Sequence, residues 1–577
     1  MGNGRYRWRP GLAAIGLMAA GALAVATSAS GERASQPGSV QSGYLDAGYY
    51  HTCAVVAAGN VRCWGMGVNG QLGYGSTADI GDNEVPGSAG PVSLGSGRTA
   101  TQVGAGESRS CALLDNGTIR CWGSGGFGGL GYASTEDVGD NESVASKGPV
   151  NLGSGHTAKV ISVGNQATCA IRDDDKLLCW GQAGDGALGY ANENSVGDSE
   201  TPGSIGPVNV GTGRTVKAVS TGGAFTCAIL DNGAVRCWGL NDAGQLGYGN
   251  TATYPLSIGD DPGEEPANFG PVDLGGLKAT AIATGSKHAC VILEGGSVKC
   301  WGEGTQGKLG YGNTNNIGDN ETPAAVGAVN LGGHAAVAIT AADQHSCALL
   351  DDGSVRCWGG GFAGRTGLGT TDAVGDQMGE VPLQVTIGQK ATAISAGAFH
   401  TCARRADNSV ICWGQASQGK LGYGSAVTAD IGDNEAANSG GAINLGPAPP
   451  PPPLDSDGDG KPNPSDVCPN VAGATTNGCP NIARTLTIKY RRGAFRGALD
   501  GSRAACLRNQ TVTVYKKVGR LGGRDDRTRG TDATDNAGAW ALSKRKRSGT
   551  YYATVPAKTI ATAGNCLGAT SATTKIK

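Results

Sequence analysis

The chain has 577 residues, 101 of them glycine and only 16% charged, with a formal net charge of −2; this argues for several domains of turn-rich β structure and excludes a protein built of long helices. Eighteen cysteines in a chain of this size call for an oxidising compartment or for bound metal. Beyond the N-terminus, no stretch approaches the roughly 20 apolar residues that a membrane span needs.

Residues 1–29 read as a secretory signal. Arg5, Arg7 and Arg9 form a positive region, Gly11 to Val25 an apolar core, and Thr27, Ser28 and Ala29 a small-residue cleavage site. The expectation is a secreted protein, extracellular or associated with the cell envelope, with paired cysteines.

Seven cysteine pairs follow, each with nine residues between its members: Cys53 and Cys63, Cys111 and Cys121, Cys169 and Cys179, Cys227 and Cys237, Cys290 and Cys300, Cys347 and Cys357, and Cys402 and Cys412. Their regular recurrence is internal repetition. Within a unit, "CALLDNGTIRCW" alternates around an Asn-Gly or Asp-Gly turn, a strong hairpin signal. If Asp115, Asn116 and Gly117 form a three-residue loop, Leu114 faces Thr118 and Cys111 falls opposite Cys121. Directly opposed residues lie about 4.5 to 5.5 Å apart at Cα, within disulfide range. Zinc is the alternative, but its structural sites space cysteines two to four residues apart, and only six histidines are available.

After each hairpin comes Trp-Gly, a glycine-rich turn and usually Leu-Gly-Tyr, as in "WGLNDAGQLGYG" at 238–249. The recurring tryptophans, Trp64, Trp122, Trp180, Trp238, Trp301, Trp358 and Trp413, read as packing between neighbouring units. With "GPVNLG" and "KVISVG" as a further strand pair, each unit holds about four strands, and seven such units over residues 41–447 fit a closed β-propeller. The segment "GYLDAG" at 43–48 is expected to complete the last unit and close the ring.

These units resemble the regulator of chromosome condensation repeat family, carried here by "GYYHTCAVV", "DNGAVRCWG" and "GQLGYG". The resemblance implies a propeller. The nuclear founder of that family is a guanine nucleotide exchange factor for a small GTPase; the export signal and the repeated cysteines argue against that activity here.

His51, His288, His345 and His400 stand two residues before a cysteine, where Arg109, Ala167 and Phe225 stand in other units; a position repeated around a ring reads as structural hydrogen bonding, not catalysis. Acidic loops such as "IGDNE" place Asp82, Asp140, Asp198, Asp319 and Asp433 at turns. There they cap backbone N–H groups or form a ring of partner contacts. The longest version, "YPLSIGDDPGEEPANFG", adds Tyr254 and Phe269. No catalytic constellation and no nucleotide-binding loop stands out.

Residues 448–480 change composition abruptly. Five prolines, Pro449 to Pro453, form a semi-rigid spacer. Asp455, Asp457 and Asp459 then alternate ahead of Gly460, with Asn463 and Asp466 beyond, an oxygen-ligand set suited to calcium. This clasp resembles a thrombospondin type 3 repeat; Cys468 and Cys479 bracket its end. Residues 482–577 read as a small β-sandwich with Cys506 and Cys566 paired. From residue 483 on, 20 Lys and Arg face five Asp, a net of +15 that leaves about −17 for the remainder. "SKRKRS" at 543–548 in this tail is a candidate contact for an anionic surface.

The sequence therefore predicts an all-β chain: a seven-bladed β-propeller, a linker with a calcium clasp, and a basic β-sandwich. Its expected role is non-catalytic adhesion or protein binding, as a monomer, with a protein or a cell-envelope polymer as partner and calcium as the bound ion. Alternatives are an inhibitor of a secreted enzyme such as a β-lactamase and, less favoured, a hydrolase using the propeller pocket.

Overall fold

Alternating apolar residues on either side of a tight glycine turn give each repeat its hairpin. In the second repeat, Arg109–Leu114 pairs with Ile119–Gly123, Cys111 lies directly opposite Cys121, and the Leu114 amide donates to the Thr118 carbonyl at 2.8 Å. Gly117 supplies the left-handed backbone (φ +77°) that the three-residue loop needs.

A disulfide closes each of the seven hairpins. Cys53 is bonded to Cys63, Cys111 to Cys121, Cys169 to Cys179, Cys227 to Cys237, Cys290 to Cys300, Cys347 to Cys357, and Cys402 to Cys412. In every pair the two residues stand directly opposite each other in the ladder. Their Cα atoms are 4.0 to 4.1 Å apart, closer than the 4.5 to 5.5 Å expected of unbridged opposed residues. All fourteen cysteines are fully buried. By the chain-entropy argument each short staple contributes about 2 to 3 kcal/mol.

The computed structural model describes residues 43–249, 256–446, 481–482, 484–492, 494–501, 510–516, 527–535, 537, 539–544, 547–560, 564–566 and 569–576. The signal segment, Tyr254, Asp455, Asp457, Asp459, Asn463, Asp466, Cys468, Cys479, Cys506 and the side chain of Cys566 lie outside what is described.

Among the described residues, seven repeated sheets of three or four strands are built before residue 446. In each, an inner strand such as Ala158–Val163 precedes the hairpin and pairs with its first strand. "GPVNLG" is not a strand: Val150 makes one bond to the outer strand, its amide donating to the Ile119 carbonyl at 2.9 Å, and the preceding Pro149 has no N–H to continue a ladder. The outer edge is capped instead by isolated bridges such as Gly123↔Val138.

The frame of ring closure also differs from expectation. Leu45–Ala47 pairs with His51–Val56 in its own sheet, and the last hairpin has its own inner strand, Ala391–Ala396. Every blade is therefore contiguous in sequence, and the ring closes through contacts between the first and last blades. The Trp64 indole donates to the Lys420 carbonyl at 3.0 Å, and the Gly424 amide donates to the Gly81 carbonyl at 3.0 Å.

The tryptophan contact is a repeated latch. Trp122, Trp238, Trp301, Trp358 and Trp413 donate likewise to carbonyls of the preceding blade, those of Gln71, Ala187, Gln245, Lys308 and Arg365. All seven tryptophans are fully buried. Six of them thus join a large apolar contact to a satisfied N–H, and Trp180 is held by packing alone. The tyrosine of Leu-Gly-Tyr finishes the outer strand: the Tyr132 hydroxyl accepts from the Cys121 amide at 2.9 Å and donates to its carbonyl at 3.0 Å. The sixth blade has Leu368 where the others have this tyrosine, and there a short strand, Leu383–Gln384, pairs with the outer strand.

Beyond Asn481 the strands form separate sheets. Leu486, Phe495, Leu499, Val512, Val514, Trp540 and Tyr551 from the two larger sheets meet in one apolar core.

Candidate recognition face and axial channel

The inner strands end, and the middle strands begin, on one side of the ring. On that side the histidine position forms a belt between blades. His51 Nε2 lies 2.7 Å from Ser110 Oγ, His288 Nε2 2.8 Å from Ser346 Oγ, His345 Nε2 2.7 Å from Thr401 Oγ1, and His400 Nε2 2.6 Å from Thr52 Oγ1. Ser110, Ser346 and Thr401 each give their own proton to a carbonyl of the preceding blade, so the imidazole Nε2 is the donor in those pairs. Burial holds His51 and His400 down to about 3 and His288 and His345 well below the ordinary value. These are neutral structural latches, as their repetition implies. In the remaining blades the Arg109 guanidinium donates to the carbonyls of Asn165 and Gln166, while Ala167 and Phe225 fill the space by packing.

The inner strands enclose an axial cavity of about 100 Å³. Neighbouring strands are stitched by small side chains: the Thr221 amide donates to Ser162 Oγ, the Thr284 amide to Ser220 Oγ, and the Ala47 amide to Ser395 Oγ. At the equivalent place the first blade has Asp46, whose carboxylate accepts from the Ala105 amide at 2.8 Å and the Ser395 hydroxyl at 2.9 Å. One acid thus joins blades seven, one and two. Burial pushes it up to about 7, against the pull of those hydrogen bonds. Sequence reasoning missed Asp46, although aligning "LDAG" with "VGAG", "ISVG", "VSTG", "IATG", "ITAA" and "ISAG" isolates it.

Over the channel mouth, Tyr49, Tyr50 and Phe399 from the first and last blades form an aromatic cluster. Tyr50 and Phe399 are stacked at 5.7 Å, with Tyr49 edge-on to both. Burial raises the Tyr49 phenol, and Asp343 and Glu107 push the same way, while a hydrogen bond with Ser286 on the fifth blade opposes them. The loops after Trp-Gly lie beside this mouth, as the Met66 amide donating to the Tyr50 carbonyl shows. On these loops Phe127 and Phe362 are each 58% exposed and Val68 is 56% exposed. The corresponding loops of blades three to five present Asp185, Asp242 and Gln306. The blade-seven loop presents Ser417 and Gln418, so the exposed apolar side chains on these loops come from blades six, one and two, and blade seven contributes only Phe399, through the cluster at the mouth.

The acidic loops bond largely within themselves. Asp82, Asp198 and Asp319 accept from the next amide, Asp140 accepts from the Asn141 side chain, and one Asp433 carboxylate oxygen is enclosed within the blade interface. Glu84, Glu200 and Glu435 cap the amides of Gly81, Gly197 and Gly432. Phe269 packs partly buried, 6.4 Å from the Tyr248 ring. On the opposite side of the ring His156 with Asp173 and Asp174, and His334 with Asp351 and Asp352, come close enough to share an ion. Arg98–Asp115 and Arg214–Asp231 occupy the same place in other blades, so ion pairing accounts for the pattern.

Disulfide-stapled blades, closed head to tail around a narrow channel, define a β-propeller. The regulator of chromosome condensation (RCC1) repeat matches residues 45–71, 100–128, 216–245, 279–308, 336–365 and 391–420, and a second form of it matches 232–292 and 295–349. Six of the seven blades thus carry matches to this repeat. The Ultraviolet-B receptor UVR8 of Arabidopsis thaliana is 27% identical over 380 residues, which are 65% of this chain and 78% of the receptor. The human E3 ubiquitin-protein ligase HERC2 is 30% identical over 269 residues, but the match spans 46% of this chain and only 5% of the ligase. The crystal structure of Prp20p from Saccharomyces cerevisiae shares the fold, with a TM-score of 0.52 at 18% identity over 68% of this chain and 87% of that one.

Proposed function

We propose that this chain is a secreted, non-catalytic protein-binding propeller held at the cell envelope. The observation that carries the reading is the two-sided face. Exposed Val68, Phe127 and Phe362 flank the Tyr49, Tyr50 and Phe399 cluster, and large apolar side chains presented together on rigid loops are the usual anchors of a protein contact. The relatives support a binding or regulatory role, since a receptor and the ligase share this repeat. Calcium at Asp455, Asp457, Asp459, Asn463 and Asp466 and the basic segment 482–577 would attach the ring to its surroundings.

The test is a pull-down from envelope extract and culture medium, with and without calcium, using the wild type and a Val68→Ser, Phe127→Ser, Phe362→Ser variant. A partner captured by the former and reduced at least tenfold with the latter supports the reading. Equal capture by both overturns the assignment of this face. Should the partner be a β-lactamase, the role becomes inhibition.

A further inference from the structure

The C-terminal strands bring together two basic runs that are far apart in sequence. Lys489–Arg491 pairs with Ala494–Gly501, placing Lys489 directly opposite Arg496 and Tyr490 opposite Phe495. Alternation divides this hairpin: Phe495 is buried in the core, while Lys489, Arg491 and Arg496 are exposed, as is Arg492 in the turn. The second run starts beside it, because Ala494 faces Ser543 on the next strand.

Two tyrosines hold that second run in place. The Tyr490 hydroxyl donates to the Lys544 carbonyl at 3.1 Å, and the Tyr551 hydroxyl donates to the Arg547 carbonyl at 3.0 Å. Both rings pack on Phe495, at 5.0 and 4.8 Å between centroids. Lys544 and Arg547 are exposed, so the aromatic trio fixes the backbone of both residues alongside the cationic hairpin.

Like charges directly opposite in an antiparallel pair repel. Among the described residues no carboxylate lies within ion-pair distance of Lys489, Arg491, Arg492, Arg496, Lys544 or Arg547. Three acids border the surface: Asp500 stands opposite Thr485, about 13 Å along the strand from Arg496, and the Asp532 and Asp535 carboxylates are held by the Ala541 and Ala539 amides on the next strand. An anion bridging the cations would relieve the repulsion.

We infer that this surface binds a linear polymer of phosphate groups that carries no bases. Arginine forks match phosphate oxygens in pairs, and four of the six cations are arginines. The exposed neighbours Ala539, Ala541 and Ser543 are small and offer nothing to insert into a bilayer. Tyr490 and Phe495 are engaged with each other and with Tyr551, so these rings are not free to stack on bases. The inference deepens the envelope reading by naming the polymer's chemistry, and it does not depend on what the propeller face binds.

The experiment measures binding of the full-length chain to inorganic polyphosphate in the presence of EDTA, over a range of salt, with phosphatidylserine vesicles and single-stranded DNA in parallel. Arg491→Gln with Arg496→Gln is expected to weaken polyphosphate binding at least tenfold near 0.1 M salt, and to lower the slope of log K against log salt by about one per cation removed. Tyr490→Phe with Tyr551→Phe is expected to weaken it several-fold with the slope unchanged, because position is lost and charge is kept. Near-UV circular dichroism of each variant establishes that it is folded. Affinity unchanged to within twofold in a folded hairpin variant overturns the inference, as does tighter binding to vesicles or DNA than to polyphosphate. The propeller pull-down is scored separately, so either reading can fail alone.

Discussion

The seam between blades seven and one and the interface between blades three and four share the same backbone arrangement but are held by different chemistry. At the seam, His400 reaches Thr52, Trp64 reaches the Lys420 carbonyl, and Asp46 bonds across to Ser395. At the other interface Ala167 leaves the histidine place to packing, and the Thr226 hydroxyl and the Trp238 indole both donate to the Ala187 carbonyl. The repeat thus demands a filled volume at each boundary, while buried histidines occupy the interfaces from blade five round through the seam to blade two and are missing between blades three and four. A ring that is uniform in shape is therefore uneven in its response to pH.

The largest expected effect comes from breaking the seam directly. Trp64→Ala removes a fully buried indole and should cost about 3 to 5 kcal/mol, read as a lower denaturant midpoint and faster proteolysis of the joined blades. Replacing Cys402 and Cys412 by serine unstaples the seventh hairpin and should cost about 2 to 3 kcal/mol, less than the indole because the strands still pair.

His400→Phe sharpens the comparison by giving the seam the residue that blade four carries as Phe225. It should cost about 1 kcal/mol at pH 7.5 by removing the imidazole partner of Thr52, and it should also reduce acid sensitivity. The sign follows from the protons bound: below the ordinary imidazole value of about 6.5 the unfolded chain takes up a proton, which folded His400 does not accept until about 3. Wild-type stability therefore falls as pH drops through that window, and the variant should lose less of it.

Asp46→Asn should have the smallest effect, under about 1 kcal/mol at pH 7, because the amide oxygen still accepts a hydrogen bond. Its pH signature is opposite in sign. Folded Asp46 keeps its proton up to about 7, above the ordinary carboxylate value of 3.8, so its contribution is full below that lower value and is lost as pH rises to 7. Stability measured from pH 4 to 7 should lack this component in the variant.

The staples were legible because they are local: the spacing and the turn residues place Cys111 opposite Cys121 whatever surrounds the hairpin, and the structure has that register. The frame of closure was not. "GYLDAG" fits either end of the ring as a strand, and only the pairing of Leu45 with Ala54 assigns it to the first blade. Phe269 stood out in the sequence as a loop aromatic and packs inward, whereas Phe127 and Phe362 sit in glycine-rich turns that gave no sign of their exposure.

By itself the sequence determined the repeating unit, its disulfides, its all-β character and the excess of positive charge at the C-terminal end, since these depend on composition and on contacts within about a dozen residues. Tertiary structure alone decided that Asp46 meets Ser395, 349 positions away, that the exposed aromatics share one side of the ring, and that Tyr490 holds Lys544. Such contacts join residues that only folding brings together, and local pattern carries no information about which distant strand will become a neighbour.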